Sequence, residues 1–226
     1  QHYKPLSREV NNKQLIVPAE NYNVKLLSIG FFAELDQAVV WRGPMAVKAL
    51  RQLIFDADWG DLDYLIIDTP PGTGDVHLSI VQNLPLTGVV VVTTTPQPVA
   101  LADAKKAIAM FKMENINVPV LGIIENMSWF SPKEHKDEKY FIFGQHGGKD
   151  LATSMNLDLL GEIPLVQSIR ESADVGRPAV LQQETYVESF YSVACKNLVL
   201  SVDKRNTELE ETKVVPVEYG LSLIHI

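Results

Sequence analysis

Short runs of consecutive apolar residues alternate along this chain with longer stretches in which apolar positions recur every three or four residues. The runs at residues 24–30, 64–69, 88–95, 118–126 and 157–163 read as short strands buried on both faces. Between them, residues 45–55 place Val47, Leu50 and Ile54 on one helical face, and residues 99–113 do the same with Leu101, Ala104, Ile108 and Phe111. Pro98 suits the first turn of that second helix, where its missing N–H is no loss, and Asp103 near its start complements the helix dipole. Strands alternating with helices predict βαβ units, hence an α/β fold whose parallel sheet carries helices on both faces. No repeat or low-complexity linker divides the pattern, so a single domain over residues 1–203 is expected. Residues 131–139, Ser-Pro-Lys-Glu-His-Lys-Asp-Glu-Lys, interrupt it with a solvated surface loop. Residues 204–226 turn charged and aperiodic and are expected to form a disordered tail; the final Leu-Ser-Leu-Ile-His-Ile resembles translated adapter sequence.

Composition narrows the classes of function. A chain of 226 residues can bury a substantial core, and its formal charge of -8 argues against a non-specific nucleic-acid binder. No segment reaches the length of an apolar membrane span, and the first residues, Gln-His-Tyr-Lys-Pro, have no signal-peptide core, so no membrane partner and a cytoplasmic location are expected. The single cysteine, Cys195, excludes an intrachain disulfide framework and any cysteine-only metal site built within this one chain.

The richest segment is Leu65-Ile66-Ile67-Asp68-Thr69-Pro70-Pro71-Gly72-Thr73-Gly74-Asp75. A buried parallel strand delivers its functional residue at the carboxyl end, and a carboxylate there, Asp68, can hold a magnesium-bound water. Pro70 and Pro71 stop the strand, while Gly72 and Gly74 let backbone N–H groups approach a phosphate and move when it leaves. The plain alternative is a strand exit with a solvated aspartate. Two other glycine clusters carry less. Gly72-Thr73-Gly74 has His77 where a dinucleotide fingerprint needs its third glycine. Gly147-Gly148-Lys149 has Asp150 where a phosphate loop needs Ser or Thr, and Phe143 where that loop needs its first glycine, so it reads as a helix-opening turn. No stretch satisfies G-x-x-x-x-G-K-[ST]. His77, His135 and His146 lack partners at metal-ligand spacing and are assigned surface or capping roles. No nucleophile elbow or Glu/His helix motif supports a serine or metal-water hydrolase.

Six segments taken in order carry a resemblance: Leu27-Ser28-Ile29-Gly30-Phe31, Trp41-Arg42-Gly43-Pro44-Met45, Trp59-Gly60-Asp61-Leu62-Asp63-Tyr64, Ile67 to Asp75, Thr94-Thr95-Pro96-Gln97, and Val120-Leu121-Gly122-Ile123-Ile124-Glu125-Asn126-Met127-Ser128. Together they resemble the Mrp/ApbC family of P-loop ATPases, iron–sulfur cluster carriers related to the septum-site and partition ATPases. The resemblance implies a parallel-sheet P-loop NTPase fold of the deviant-Walker type, with ATP and magnesium as cofactors and ATP hydrolysis to ADP and phosphate. It implies a homodimer that passes a 4Fe–4S cluster to apo iron–sulfur proteins. It assigns Asp68 to catalysis and to indirect magnesium binding, Gly72 and Gly74 to the mobile switch loop, Asn126 to reading the base, and Ile163 and Pro164 to a loop packed on adenine.

Two departures from the family pattern stand out. Its phosphate loop, the helix after it and the next strand are not in this sequence, so Gln1 reads as a cut edge and the fold as N-terminally incomplete. Many members carry Cys-x-x-Cys between the Glu-Asn-Met-Ser motif and the Ile-Phe-Gly turn, whereas residues 128–142 here hold no cysteine, and Cys195, the one candidate cluster ligand, reads as a core thiol beside Val193 and Leu198. The alternatives to a carrier are a positioning or scaffolding ATPase without a cluster and a non-enzymatic remnant. A switch segment without a phosphate loop lacks most of the N–H donors, and the lysine, that hold a triphosphate. Calorimetry of this chain with Mg-ATP is therefore expected to detect no useful affinity, and a micromolar dissociation constant would overturn that expectation.

Overall fold

The computed structural model describes residues 3–32, 43–93, 95–135, 137–181 and 186–214, and the chain divides into two compact units, residues 1–80 and 81–226. The first unit begins with two hairpins that the apolar pattern did not reveal. Strand β1 (Leu6–Val10) pairs antiparallel with β2 (Lys13–Val17), and β3 (Ala19–Asn21) with β4 (Val24–Leu26). Their turns, Asn11-Asn12 and Tyr22-Asn23, have φ between 51° and 61° at all four residues. Two successive left-handed residues give the turn whose twist matches a hairpin, and asparagine tolerates that conformation well. The strand expected at residues 24–30 is thus the short antiparallel β4, followed by a single 3₁₀ turn over Ile29–Phe32.

Helix α1 (Gly43–Phe55) leads back to β2: Ile16 N donates to Asp56 O at 2.7 Å and Asp58 N to Ile16 O at 2.8 Å, with an Arg8–Asp58 ion pair beside them. Trp59 fastens the exit, donating from Nε1 to Leu53 O at 3.2 Å and accepting from Lys25 Nζ at 2.5 Å through its carbonyl. The strand expected at residues 64–69 does not form: it has no ladder partner among the described residues, and Ile66 is 85% exposed. Apolar content makes a strand only where a neighbour receives its N–H and C=O groups. Helix α2 (Asp75–Asn83) follows.

The second unit is a parallel sheet in the order β5 (Val89–Thr93), β6 (Val120–Phe130), β7 (Leu159–Leu165). Helix α3 (Pro98–Phe111) connects β5 to β6, and α4 (Gly147–Met155) precedes β7. On one face Val91, Ala104, Ile108, Ile123, Leu151 and Ala152 form the core, with α3 and α4 packed on the sheet. After α5 (Gln167–Asp174), helix α6 (Tyr186–Glu208) covers β7 and β6, where Ala194 lies so close to Gly161 that a Cβ on the glycine would sit 2.6 Å from the alanine's. The parallel sheet with its helices is the expected α/β architecture.

Both strand pairings slip by one residue. Val89 and Val90 oppose Val120 and Gly122, which leaves Leu121 over; Ile123 and Ile124 oppose Leu159 and Gly161, which leaves Leu160 over. A bulged residue loses its ladder partner, and α6 supplies replacements: Ser201 Oγ donates to Leu121 O and Asn197 Nδ2 to Leu160 O, each at 2.8 Å. The two donors are four residues apart and so share one helix face. Helix α6 also runs past residue 203 to Glu208, and Arg205, buried near its end, donates from Nη2 to Glu210 O and Thr212 Oγ1, so the start of the expected tail is folded onto the helix. The final six residues lie outside the described ones. Replacing Asn197 or Ser201 by alanine strands a bulge carbonyl and is expected to cost about 1–3 kcal/mol each. Urea unfolding checks this, and an unchanged midpoint in both variants would show that the bulges do not need α6.

Candidate functional site

The carboxyl ends of β5, β6 and β7 lie side by side, and in open parallel sheets this is where ligands bind. Thr93 and Glu125 are register partners and each is 1% exposed; one step on, Asn126 pairs with Ile163. The ladder between β6 and β7 then breaks, resuming only at Phe130 and Leu165. Inside the break Met127 takes φ +52°, Asn126 Oδ1 accepts from Met127 N at 3.0 Å, and Ser128 Oγ donates to Glu125 O at 3.1 Å. Asn126 is left half-buried, and its Nδ2 has no partner among the described residues. Its donor is therefore uncommitted where the middle strand leaves its ladder. Ile163 and Pro164 are buried within β7 itself rather than in a loop. Pro164 is accommodated because β7 is an edge of this sheet, where a missing N–H need not break a ladder.

Beside this end sits the start of α4. The Glu125 carboxylate accepts the N–H of Gly148, so a buried anion occupies the N-terminal end of the helix, where free N–H groups and the dipole favour negative charge. Gly148 must be glycine for this to happen, since a Cβ there would lie 2.7 Å from Glu125 Oε2 and 2.9 Å from Glu125 Cβ. A Cβ on Gly147 would likewise run into the carbonyl of Pro96, in the turn before α3. The Gly147-Gly148-Lys149 segment is thus a helix-opening turn, as its sequence indicated, and its anion is internal. The sequence reading missed Glu125. The available signal was a carboxylate inside an apolar strand, which requires a buried donor somewhere in the fold.

The switch segment belongs to the first unit. Asp68 is exposed and forms no hydrogen bond or ion pair with the described residues. Gly72 has φ +97° with open space around it, and Gly74 O accepts from His77 N at 3.1 Å to begin α2, whose first turn carries Asp75. Asn126, Ile163 and Pro164 belong to the second unit. Trp41, Arg42 and Thr94 of the recognised segments lie outside the described residues. His77 is not a surface residue: it is buried on α2. His146 sits at the start of α4 in the left-handed conformation, and His135 pairs with Glu138 at 3.4 Å on the surface.

The loop at residues 131–139 is closed by mutual hydrogen bonds between Phe130 and Tyr140, 2.8 and 2.9 Å. Beneath it Ser131 Oγ donates to Glu138 O at 2.9 Å, Trp129 Nε1 donates to Tyr186 OH at 3.2 Å, and Lys139 stacks on the Trp129 ring at 3.8 Å. The Tyr140 hydroxyl donates to Glu138, a bond that holds its phenol above the usual range, with the carboxylate's charge adding to the effect. No thiol takes part, and no group of three or more His, Cys, Asp or Glu among the described residues is placed to hold a metal ion. Cys195 is exposed on α6, which corrects its expected place in the core. The reason is helical phase: Val187, Ala194 and Arg205 mark the buried face, and Cys195 follows Ala194 by one residue, a turn of about 100° away. No helix among the described residues is long and apolar enough to cross a membrane.

Comparison with known proteins gives a consistent result. Residues 4–202 match the ParA family, described as NUBPL iron-transfer P-loop NTPase. The chain is 45% identical over 217 residues to an Arabidopsis thaliana protein named iron-sulfur protein required for NADH dehydrogenase, mitochondrial, covering 96% of this chain and 67% of that one. It is 47% identical over 175 residues to the mouse iron-sulfur cluster transfer protein NUBPL, covering 77% of this chain and 54% of that one. The chain thus spans between about half and two thirds of these relatives. Among solved structures, a nucleotide-binding protein from Archaeoglobus fulgidus in complex with ADP is similar with a TM-score of 0.61 and 28% identity, over 80% of this chain and 71% of that one.

Proposed function

The chain belongs to the NUBPL iron-transfer P-loop NTPase family, and from that premise we propose that the full-length protein hydrolyses ATP to ADP and phosphate and, as a homodimer, delivers iron–sulfur clusters to apo iron–sulfur proteins. The observation that carries the reading is Asn126, an amide with an uncommitted donor at the point where the ladder between β6 and β7 breaks. A base edge needs such a donor and acceptor pair, and the similar Archaeoglobus protein is in complex with ADP. The resemblance also assigns Ile163, its register partner, and Pro164 to the adenine surround, although both lie buried within β7.

Asp68 fits a role at magnesium because its carboxylate is exposed and unpaired among the described residues. Bound there through water, magnesium would neutralise charge on the β- and γ-phosphates. Gly72 and Gly74 lie in the segment between Asp68 and α2 and supply N–H groups on a backbone free to rearrange.

The cluster is cargo. The names of the Arabidopsis and mouse relatives support it, while the thiol-free loop at residues 131–139 favours a second reading, an ATPase that uses nucleotide as a dimerisation switch without a cluster. Anaerobic reconstitution of the full-length protein with iron and sulfide separates them: visible cluster absorption supports the carrier, and its absence supports the switch. The compartment we propose is the cytoplasm, with the mitochondrion, suggested by the Arabidopsis protein's name, as the alternative that localisation of the full-length protein decides.

Substituting Asp68→Asn in the full-length protein removes a charge needed most in the transition state. Turnover is expected to fall by about a hundredfold while nucleotide affinity stays within a few-fold. Steady-state kinetics beside equilibrium binding test this, and an unchanged kcat contradicts the assignment.

A further inference from the structure

The break in the β6–β7 ladder poses a question of geometry. Residues 127–129 have no ladder partners, so sheet hydrogen bonds do not set the course of the backbone just after Asn126. Something upstream has to hold the strand in place, because an amide that reads a base must be aimed to within a fraction of an ångström. Glu125 is the residue placed to do it. Its side chain is 1% exposed and is tied to the N–H of Gly148, at the start of α4. Successive side chains on a strand point to opposite faces, so tying Glu125 to α4 fixes the roll of the strand and with it the direction of Asn126. Its carbonyl accepts from Ser128 Oγ at 3.1 Å, which closes the bulge from the other side.

We infer that Glu125 is a positioning residue for nucleotide selection: by accepting the Gly148 N–H it holds Asn126 in the orientation that distinguishes an adenine from a guanine base. The inference rests on the proposed base-reading role of Asn126. Gly148 is the matching half of the device, since the carboxylate and a Cβ cannot share the space, as the 2.7 and 2.9 Å separations require. The carboxylate does not touch the nucleotide in this account. It acts through its neighbour, and its loss changes discrimination before it changes chemistry.

The test measures binding of ATP and GTP to the full-length protein and to four variants. Glu125→Ala is expected to reduce the preference for ATP over GTP by about tenfold, the effect of one lost hydrogen bond, with kcat for bound ATP little altered. Glu125→Gln keeps an acceptor for the Gly148 N–H and is expected to retain the preference. Gly148→Ala pushes the carboxylate aside and is expected to lose it, which decides the matter if Glu125→Ala does not fold. Asn126→Ala calibrates the series. If Asn126→Ala loses the preference while Glu125→Ala and Gly148→Ala keep it, or if Glu125→Gln loses it, the positioning role is wrong and the base-reading assignment stands. If Asn126→Ala keeps the preference as well, both are wrong.

Discussion

Two surplus residues in the parallel sheet, Leu121 and Leu160, create a demand that the rest of the second unit is arranged to meet. Each bulge takes a residue out of its ladder and leaves a carbonyl facing a packed helix instead of water. An unmet buried carbonyl costs about 1–3 kcal/mol, a large share of the roughly 5–15 kcal/mol by which a domain is stable. Helix α6 answers with Asn197 and Ser201, one turn apart, while Ala194 on the same face permits contact with Gly161. These requirements on one stripe of α6 conflict with a wholly apolar face. The helix that covers β6 and β7 is therefore amphipathic only weakly in the ordinary sense, and its polar residues face inward by necessity.

The same logic runs along β6 to its functional end. β6 has strands on both sides, so its backbone groups are free of ladder partners only where the pairing stops. It stops after Asn126. On the face toward α4, Glu125 would be an uncompensated buried carboxylate but for the Gly148 N–H, and the helix start would have unmet donors but for Glu125. Each side removes a penalty from the other, and two adjacent glycines are what allow the approach. Structure and proposed function meet at this pair, because the contact that satisfies both groups also sets the strand that presents Asn126.

Much of this architecture was legible in the sequence. β5, β6 and β7, helices α1 and α3, and the helix-opening character of Gly147-Gly148 all followed from apolar periodicity and turn chemistry. The two hairpins did not, although Asn-Asn and Tyr-Asn sit where two left-handed residues are needed, because their strands bear charged and polar residues and show little apolar signal. The segment at residues 64–69 failed in the opposite way, with strong apolar content and no pairing partner among the described residues. Cys195 was assigned to the core because Val193 and Leu198 flank it, yet neighbours at two and three residues lie on different helical faces, and the phase set by Val187 and Ala194 turns the thiol outward. The proposed roles of Asn126, Ile163 and Asp68 come from the family resemblance. Glu125 was not legible, because its partner lies 23 residues away and emerges only when β6 and α4 pack.

The proposed base reader and the proposed switch segment are held by different physics. Asn126 and Ile163 belong to a paired sheet, with a buried anion, a helix start and a serine hydroxyl all fixing the backbone around the amide. Asp68, Gly72 and Gly74 lie in an exposed segment whose glycines permit backbone conformations that other residues resist. A rigid reader and a mobile switch are what a nucleotide-driven cycle requires. Recognition of the base must be the same before and after hydrolysis, whereas contacts to the terminal phosphate must be lost when it leaves. A base held through interactions equal in both states contributes affinity without driving change. In the proposed cycle the driving free energy has to enter through contacts to the terminal phosphate, because only contacts that differ between the two states can shift the balance between them.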